Sequence, residues 1–139
     1  MKRKHRGLTL LLFVLTLSMA LAACAQKTLP EGFDQAKVTT QAKQVITQLT
    51  NKEYASVAAQ FSPEMKAALD AQKLQTAVGP VIDKLGAFKE FKSETVGAGE
   101  NPTIGKYAVA IINCVYANGN ATYTISIDSA GKVCGLYVK

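Results

Sequence analysis

The sequence predicts an α+β fold in which N-terminal helices pack on an antiparallel β-meander, preceded by a signal peptide. Three observations lead to this prediction. The first residues form a basic and then an apolar segment. Apolar residues then recur at the spacing of helix faces as far as Gly86. From Phe88 onwards they follow the patterns of strands separated by short turns, and helices followed by strands indicate an α+β layout.

The N-terminus has the layout of a secretory signal. Residues 1–6 are strongly basic, and residues 8–23 form a mostly apolar stretch. An uncleaved transmembrane helix is the alternative, but this stretch is shorter than the about 20 residues that cross a bilayer comfortably. The segment Leu21-Ala22-Ala23-Cys24 resembles the bacterial lipobox. That resemblance implies transfer of diacylglycerol to the Cys24 thiol, followed by cleavage before Cys24.

The expected organisation follows from this motif. Residues 1–23 are the signal peptide, residues 24–32 the lipidated N-terminus and linker, and residues 33–139 a single α+β domain. Lipid on Cys24 would hold the protein at the extracytoplasmic face of the cell membrane, or at an outer membrane if the host has one. Two acyl chains anchor a protein stably where one is marginal. Membrane lipid is therefore the first expected partner.

The charge of the chain belongs largely to the signal. The chain has 16 basic and 10 acidic residues, and four of the basic ones lie in residues 1–6. The remainder carries 12 lysines against 10 acids, a net charge of +2, and it has no arginine. The lysines are scattered, and no guanidinium is available for bidentate phosphate or base contacts. We therefore expect no nucleic-acid partner.

The residue types needed for several kinds of catalysis are missing. The only histidine is His5, in the signal, and there is no tryptophan. This excludes Ser-His-Asp and Cys-His catalysis and any histidine-containing metal site in the mature chain. The acids fall mostly at expected helix caps or exposed positions: Glu53, Glu64, Asp70, Asp83, Glu90, Glu94 and Glu100. We expect no catalytic residue, no metal and no cofactor, and a cavity enzyme is the least favoured function.

Four helical segments are expected before residue 87. One helix face consists of Val38, Ala42, Val45, Ile46 and Leu49. After a break at residues 51–53, a second helix presents Tyr54, Val57, Ala58 and Phe61. Ser62-Pro63 starts a short helix over residues 63–69 that carries Met65, Ala68 and Leu69 inward. Asp70 caps a fourth helix, which buries Leu74, Val78, Ile82 and Leu85 and ends at Gly86. Proline at 80 predicts a kink or break near residue 79.

The strands follow in order. Residues 88–96 form a weak strand, residues 97–105 a loop, and residues 106–117 a long apolar strand. Asn118-Gly119 predicts a two-residue hairpin loop, which pairs Ala110, Ile112 and Cys114 with Ile127, Ile125 and Tyr123. Residues 128–131 form a second turn with glycine at a positive φ, and residues 132–138 the last strand.

Cys114 and Cys134 are expected to be free thiols without a disulfide. They lie on strands separated by the strand of residues 121–127. Because neighbouring strands are about 4.8 Å apart, the two cysteines are roughly 9–10 Å apart. A disulfide needs α-carbons within about 7 Å.

Several short segments resemble a known bacterial family. They are residues 65–69 (Met-Lys-Ala-Ala-Leu), Lys73-Leu74, residues 86–89 (Gly-Ala-Phe-Lys), and residues 131–136 (Gly-Lys-Val-Cys-Gly-Leu) after the run through Cys114. The family is a small secreted domain of unknown function, found in lipoproteins or ahead of an α/β-hydrolase domain. The resemblance implies N-terminal helices packed on a curved antiparallel β-meander, a cone-like fold similar to nuclear transport factor 2 and cystatin. The chain departs from the family in Asp70, where proline is usual, and in Gly79-Pro80. It has no hydrolase domain, so no hydrolase activity is implied.

Two kinds of function follow from such a cone. The first is non-catalytic binding of a small apolar ligand in a cavity under the helices, with Tyr54, Phe61, Tyr123 and Tyr137 as candidate lining residues. For each of these four, packing in the core is the favoured interpretation. The second is a protein-interaction module, a homodimer or a complex with an envelope protein through the sheet face, because both faces of residues 133–138 are apolar. An enclosed pocket would favour the first, and a flat apolar sheet face the second.

Overall fold

The protein is described by a computed structural model for residues 28–139, so the expected signal peptide and Cys24 lie outside the described residues. The helices are α1 (Gln35–Thr50), α2 (Tyr54–Ala59), α3 (Pro63–Ala68) and α4 (Ala71–Leu85). The strands are β1 (Phe88–Asn101), β2 (Gly105–Tyr116), β3 (Gly119–Asp128) and β4 (Val133–Val138), antiparallel in the order β1-β2-β3-β4. Among these residues no helix is long and apolar enough to span a membrane. The α+β layout is confirmed.

Side-chain caps fix where three of the helices begin. Asp34 accepts a hydrogen bond from the Lys37 amide at 2.8 Å, and Asp70 accepts one from the Lys73 amide at 2.9 Å. Ser62 caps α3. Each cap satisfies an amide that has no partner inside its helix. The expected starts at Ser62 and Asp70 are therefore confirmed.

Of the expected kink or break near residue 79, the break is wrong, because α4 runs continuously through Pro80. Pro80 lies on the exposed side of the helix, and so does Thr76, whose carbonyl loses its amide partner to the proline. Water can bond that carbonyl instead. Gly79 is buried, and an added Cβ there would lie 3.3 Å from the Tyr54 hydroxyl oxygen. Glycine at this position therefore allows α2 and α4 to pack closely.

The expected loop over residues 97–105 is also wrong. β1 continues to Asn101, and only residues 102–104 form the turn into β2. The glycines that suggested a loop are strand residues: Gly99 pairs with Tyr107, and a Cβ on Gly99 would collide with the Tyr107 ring. The aromatic ring covers a strand glycine, which keeps the ladder intact.

The β2–β3 hairpin turns one residue earlier than expected, at Ala117-Asn118. Its register therefore differs by two residues: Ala110, Ile112 and Cys114 pair with Ile125, Tyr123 and Ala121. The turn is bonded to the end of α4, since the Asn118 amide donates to the Leu85 carbonyl at 3.0 Å. A shift of two residues leaves every side chain on its expected face.

The helices cover one face of the sheet. The core side chains of this inner face are Ala108, Ala110, Ile112, Cys114, Tyr116, Tyr123, Ile125, Ile127 and Val133, which belong to one hydrophobic cluster with Val45, Ile46, Leu49, Val57 and Leu74. α3 instead contacts β4, and it was expected to point Ala68 inward. The prediction is wrong for Ala68, which is exposed. Met65, Leu69 and Leu85 are half-buried and pack against the core cluster.

Candidate functional site

The four aromatic residues expected to line a cavity do not lie together. Tyr54, Phe61 and Tyr123 are buried members of the core cluster. Tyr137 is 61% exposed and pairs with Thr124 on the opposite face of the sheet. The prediction of a common lining is therefore wrong for Tyr137, and the other three pack as core side chains.

The buried hydroxyl groups of the core satisfy one another. The hydroxyl oxygens of Tyr116 and Tyr123 are 2.7 Å apart, and Thr50 Oγ1 lies 3.2 Å from the Tyr116 oxygen. Burial raises the pKa of both tyrosines above the ordinary value. Both side chains are therefore neutral near pH 7. This group completes the packing of the interior, and it offers no open acid or base.

The opposite side of the sheet, which we call the outer face, is formed by alternate residues of β2, β3 and β4. Its members are Tyr107, Val109, Ile111, Asn113, Val115, Asn120, Thr122, Thr124, Ser126, Asp128, Gly135 and Tyr137. All of these are half-buried or exposed. Ile111 is 40% exposed, so two large apolar side chains, Ile111 and Tyr137, reach solvent on this face.

The polar side chains of the outer face are held in place by each other. Asn113 donates to Ser93 Oγ at 2.8 Å and accepts from the Thr122 hydroxyl at 2.6 Å. This network fixes the side chains between the apolar ones, so the surface is ordered without a partner.

β4 contains no charged residue, whereas β1 at the other edge contains five: Lys89, Glu90, Lys92, Glu94 and Glu100. Depletion of charge is typical of the centre of a protein interface.

An apolar groove lies at one end of the sheet. It has a volume of about 480 Å³ and lies between α3, the β1–β2 turn and the start of β4. Its lining residues are Ser62, Glu64, Met65, Ala68, Leu69, Asn101, Thr103, Ile104, Cys134 and Gly135. Ile104, in the turn, is 37% exposed. Burial and the nearby Asp128 carboxylate raise the pKa of the Cys134 thiol, so this cysteine is a weak nucleophile.

The two described cysteines are free. Cys114 is buried, and burial raises its pKa to about 11. Across residues 28–139, no three His, Cys, Asp or Glu side chains are grouped closely enough to hold a metal ion. One ion pair, Lys43 with Glu94, joins α1 to β1, and the Lys43 ammonium lies 5.2 Å from the centre of the Phe91 ring. These groups stabilise contacts between elements.

Ile111 and Ile104 were not recognised from the sequence as candidate residues. The unbroken apolar run of residues 106–117 was the available signal for Ile111, because a strand that is apolar on both faces carries apolar side chains away from the helices as well. Ile104 fell in the segment interpreted as a loop.

Comparison with known proteins shows which family the chain matches and which solved structure it is similar to. The family described as "Protein of unknown function (DUF3887)" matches residues 42–136. A solved NMR structure of a protein from Ruminococcus gnavus ATCC 29149 is similar, with a TM-score of 0.68 and 28% sequence identity. The match covers 81% of this chain and 96% of that one. None of the curated proteins compared with the chain matches it.

Proposed function

The chain belongs to the DUF3887 family of proteins of unknown function, and we propose that it is a lipid-anchored module of the bacterial cell envelope that binds another protein through its outer face. The observation that carries the proposal is the position of the exposed apolar side chains. Ile111 and Tyr137 both project from the face that no helix of the described chain covers. The core, in contrast, is filled by its own side chains. An ordered face with exposed apolar residues, and with Asp128 as its one charged member in β2, β3 and β4, is suited to contact with a partner.

The anchor is the first part of this proposal. Lipid on Cys24 would keep the domain at the extracytoplasmic surface, where its partner would be another envelope protein or a second copy of the chain. We expect Cys24→Ala to abolish lipidation and to leave either uncleaved precursor or protein released from the membrane. Fractionation and intact mass measure both effects. A Cys24→Ala protein of mature size in the membrane fraction would contradict the anchor.

The outer face is tested by site-specific photocrosslinking in the native membrane. We expect a photoreactive residue at position 111 and one at position 137 to capture the same partner. One at Gln75, exposed on α4, serves as the control and should capture nothing. The added change Ile111→Asp should remove the adduct formed at position 137. Adducts of twice the chain mass would identify a homodimer. Equal capture from all three positions, or capture from none of them, would contradict the proposal.

The groove supports a second candidate function, the binding of a small apolar ligand. Its volume of about 480 Å³ lies within the range of small-molecule sites, and Met65, Leu69 and Ile104 contribute apolar lining. Native mass spectrometry of protein extracted from its membrane would then show a bound molecule. Ala68→Trp, which fills the groove, should remove it, and Ile111→Asp, on the outer face, should not. A mass shift unaffected by Ala68→Trp would exclude the groove.

Two further features belong to the proposal. We take the module to be non-catalytic and without a cofactor, because its mature sequence lacks histidine and its described thiols have raised pKa values. We also take the sheet to be curved like the cone of nuclear transport factor 2. The register shifts at Phe88/Glu90, Phe91/Ser93 and Ser126/Ile127 support this, because bulges bend strands.

A further inference from the structure

The beginning of the described chain lies against one end of the sheet. Thr28 and Pro30 line a surface depression together with Ala98, Glu100 and Lys106, next to the β1–β2 turn. Leu29, between them, is half-buried against the core cluster. The linker is therefore attached to the domain at the end of the sheet that carries the β1–β2 turn.

The covalent chain limits how far the anchor can lie from this turn. Cys24 precedes Thr28 by four residues, and a fully extended chain spans at most about 3.6 Å per residue. The lipidated cysteine would therefore lie within about 14 Å of Thr28. This step rests on the anchor of the proposed function. It leaves the β1–β2 end of the sheet close to the bilayer.

The same end carries side chains suited to a lipid surface. Ile104, at the turn, is exposed, and Lys106 beside it is exposed as well. Across the groove, α3 adds Ala68 and Lys66, which are exposed, and Met65, which is half-buried. Two carboxylates, Glu64 and Glu100, are exposed at the same end and balance the two lysines. The apolar Ile104 side chain at the tip is therefore the feature that matches the boundary between acyl chains and headgroups.

We propose that the β1–β2 turn rests on the membrane, with the Ile104 side chain inserted into the acyl-chain boundary. The tether keeps the turn at a high effective concentration near the bilayer, so a small contact is enough to orient the domain. β2 then leads away from the membrane. Its other end, at Ala117, lies about 40 Å along the strand from Ile104, since each residue rises about 3.3 Å. The outer face stands beside the membrane, open to a partner.

The absence of tryptophan from the whole sequence allows a direct test. Full-length Ile104→Trp and Ala117→Trp proteins, processed in a bacterial host, are reconstituted into phosphatidylcholine–phosphatidylglycerol vesicles. Both positions are exposed, so both variants should fold. We expect brominated acyl chains to quench the fluorescence of the Ile104→Trp protein at least twofold and that of the Ala117→Trp protein not at all. Thr103→Trp, at the same turn, repeats the measurement should the Ile104→Trp change disturb the structure.

The outcomes separate this inference from the proposal on which it rests. Protein that fails to float with the vesicles overturns the anchor, and the orientation with it. Protein that floats but shows equal quenching at the two ends, or quenching at neither, overturns the orientation alone. Quenching at positions 103 and 104 without quenching at 117 supports it.

Discussion

At the scale of single residues, three ionisable side chains of the core favour their neutral forms. Burial raises the pKa of Cys114 to about 11 and also raises the pKa of Tyr116 and Tyr123. Well below pH 9 these groups are protonated in both the folded and the unfolded chain. As the pH rises past the ordinary values near 9 and 10, the unfolded chain loses these protons first. The free energy of unfolding must then fall.

We therefore expect the contribution of these groups to the free energy of unfolding to be constant up to about pH 8.5. From there towards pH 11 it should decrease. Urea unfolding at a series of pH values measures it. Tyr123→Phe is the control. It loses the hydrogen bond to Tyr116, which should lower its stability by about 1 kcal/mol. Its stability should nevertheless decline less steeply with pH than that of the wild-type protein. Parallel declines for the two proteins would show that Tyr123 does not contribute to the slope.

Gly79 gives a second prediction at this scale. Alanine in a helix is favoured over glycine by about 1 kcal/mol, but here its methyl group would lie 3.3 Å from the Tyr54 hydroxyl oxygen. We expect Gly79→Ala to stabilise the protein by about 0.5–1 kcal/mol when Tyr54 is replaced by phenylalanine, and clearly less in the wild-type background. Thermal or urea unfolding of the four proteins gives the coupling energy. A value of zero would mean that the hydroxyl does not limit the approach of α2 and α4.

At the scale of elements, the hairpin turns at the two ends of β3 differ in whether they need a glycine. Gly131 has a φ of +74°, and Gly119, next to the Ala117-Asn118 turn, is not among the residues with positive φ. We expect Gly131→Ala to cost about 1–2 kcal/mol. Gly119→Ala should cost nothing, because its Cβ would meet only Leu85, at 3.7 Å. The melting temperatures of the two variants make the comparison. An equal loss of stability in both would mean that the positive φ of Gly131 is not what makes alanine unfavourable there.

The strand pattern shows what the sequence could predict of the elements and what it could not. The alternation of Tyr123, Ile125 and Ile127 was enough to assign β3 and its buried face. The end of β1 was missed because Gly97 and Gly99 have no side chains to alternate, and the Tyr107 ring that covers Gly99 comes from another strand. The hairpin register was missed for a similar reason, since contacts with α4 hold the turn. Local patterns cannot report such contacts.

At the scale of the whole molecule, the two faces of the sheet have different roles. The inner face and the helices form the core, and this division was predictable from periodicity. The position of Tyr137 was not predictable, because β4 is apolar on both faces. In addition, the register shift between Ser126 and Ile127 alters which residues of β3 and β4 oppose one another. A sequence without alternation gives no signal for the outward face. The candidate surface therefore emerged only once the strands were paired.

The strand order of the whole sheet can be tested through its thiols. Cys114 lies on β2 and Cys134 on β4, with β3 between them, so the cysteines are separated by roughly two strand spacings of about 4.8 Å. That separation exceeds the about 7 Å between α-carbons that a disulfide tolerates.

We expect two added labels when unreduced Cys24→Ala protein is alkylated after denaturation, as measured by intact mass. In the native protein, Cys134 should react first because it is only half-buried, whereas Cys114 is buried and its pKa is raised to about 11. Cys134→Ser should remove the fast label and leave the slow one. An unlabelled monomer would mean that the two cysteines are bridged, which is incompatible with β3 lying between β2 and β4.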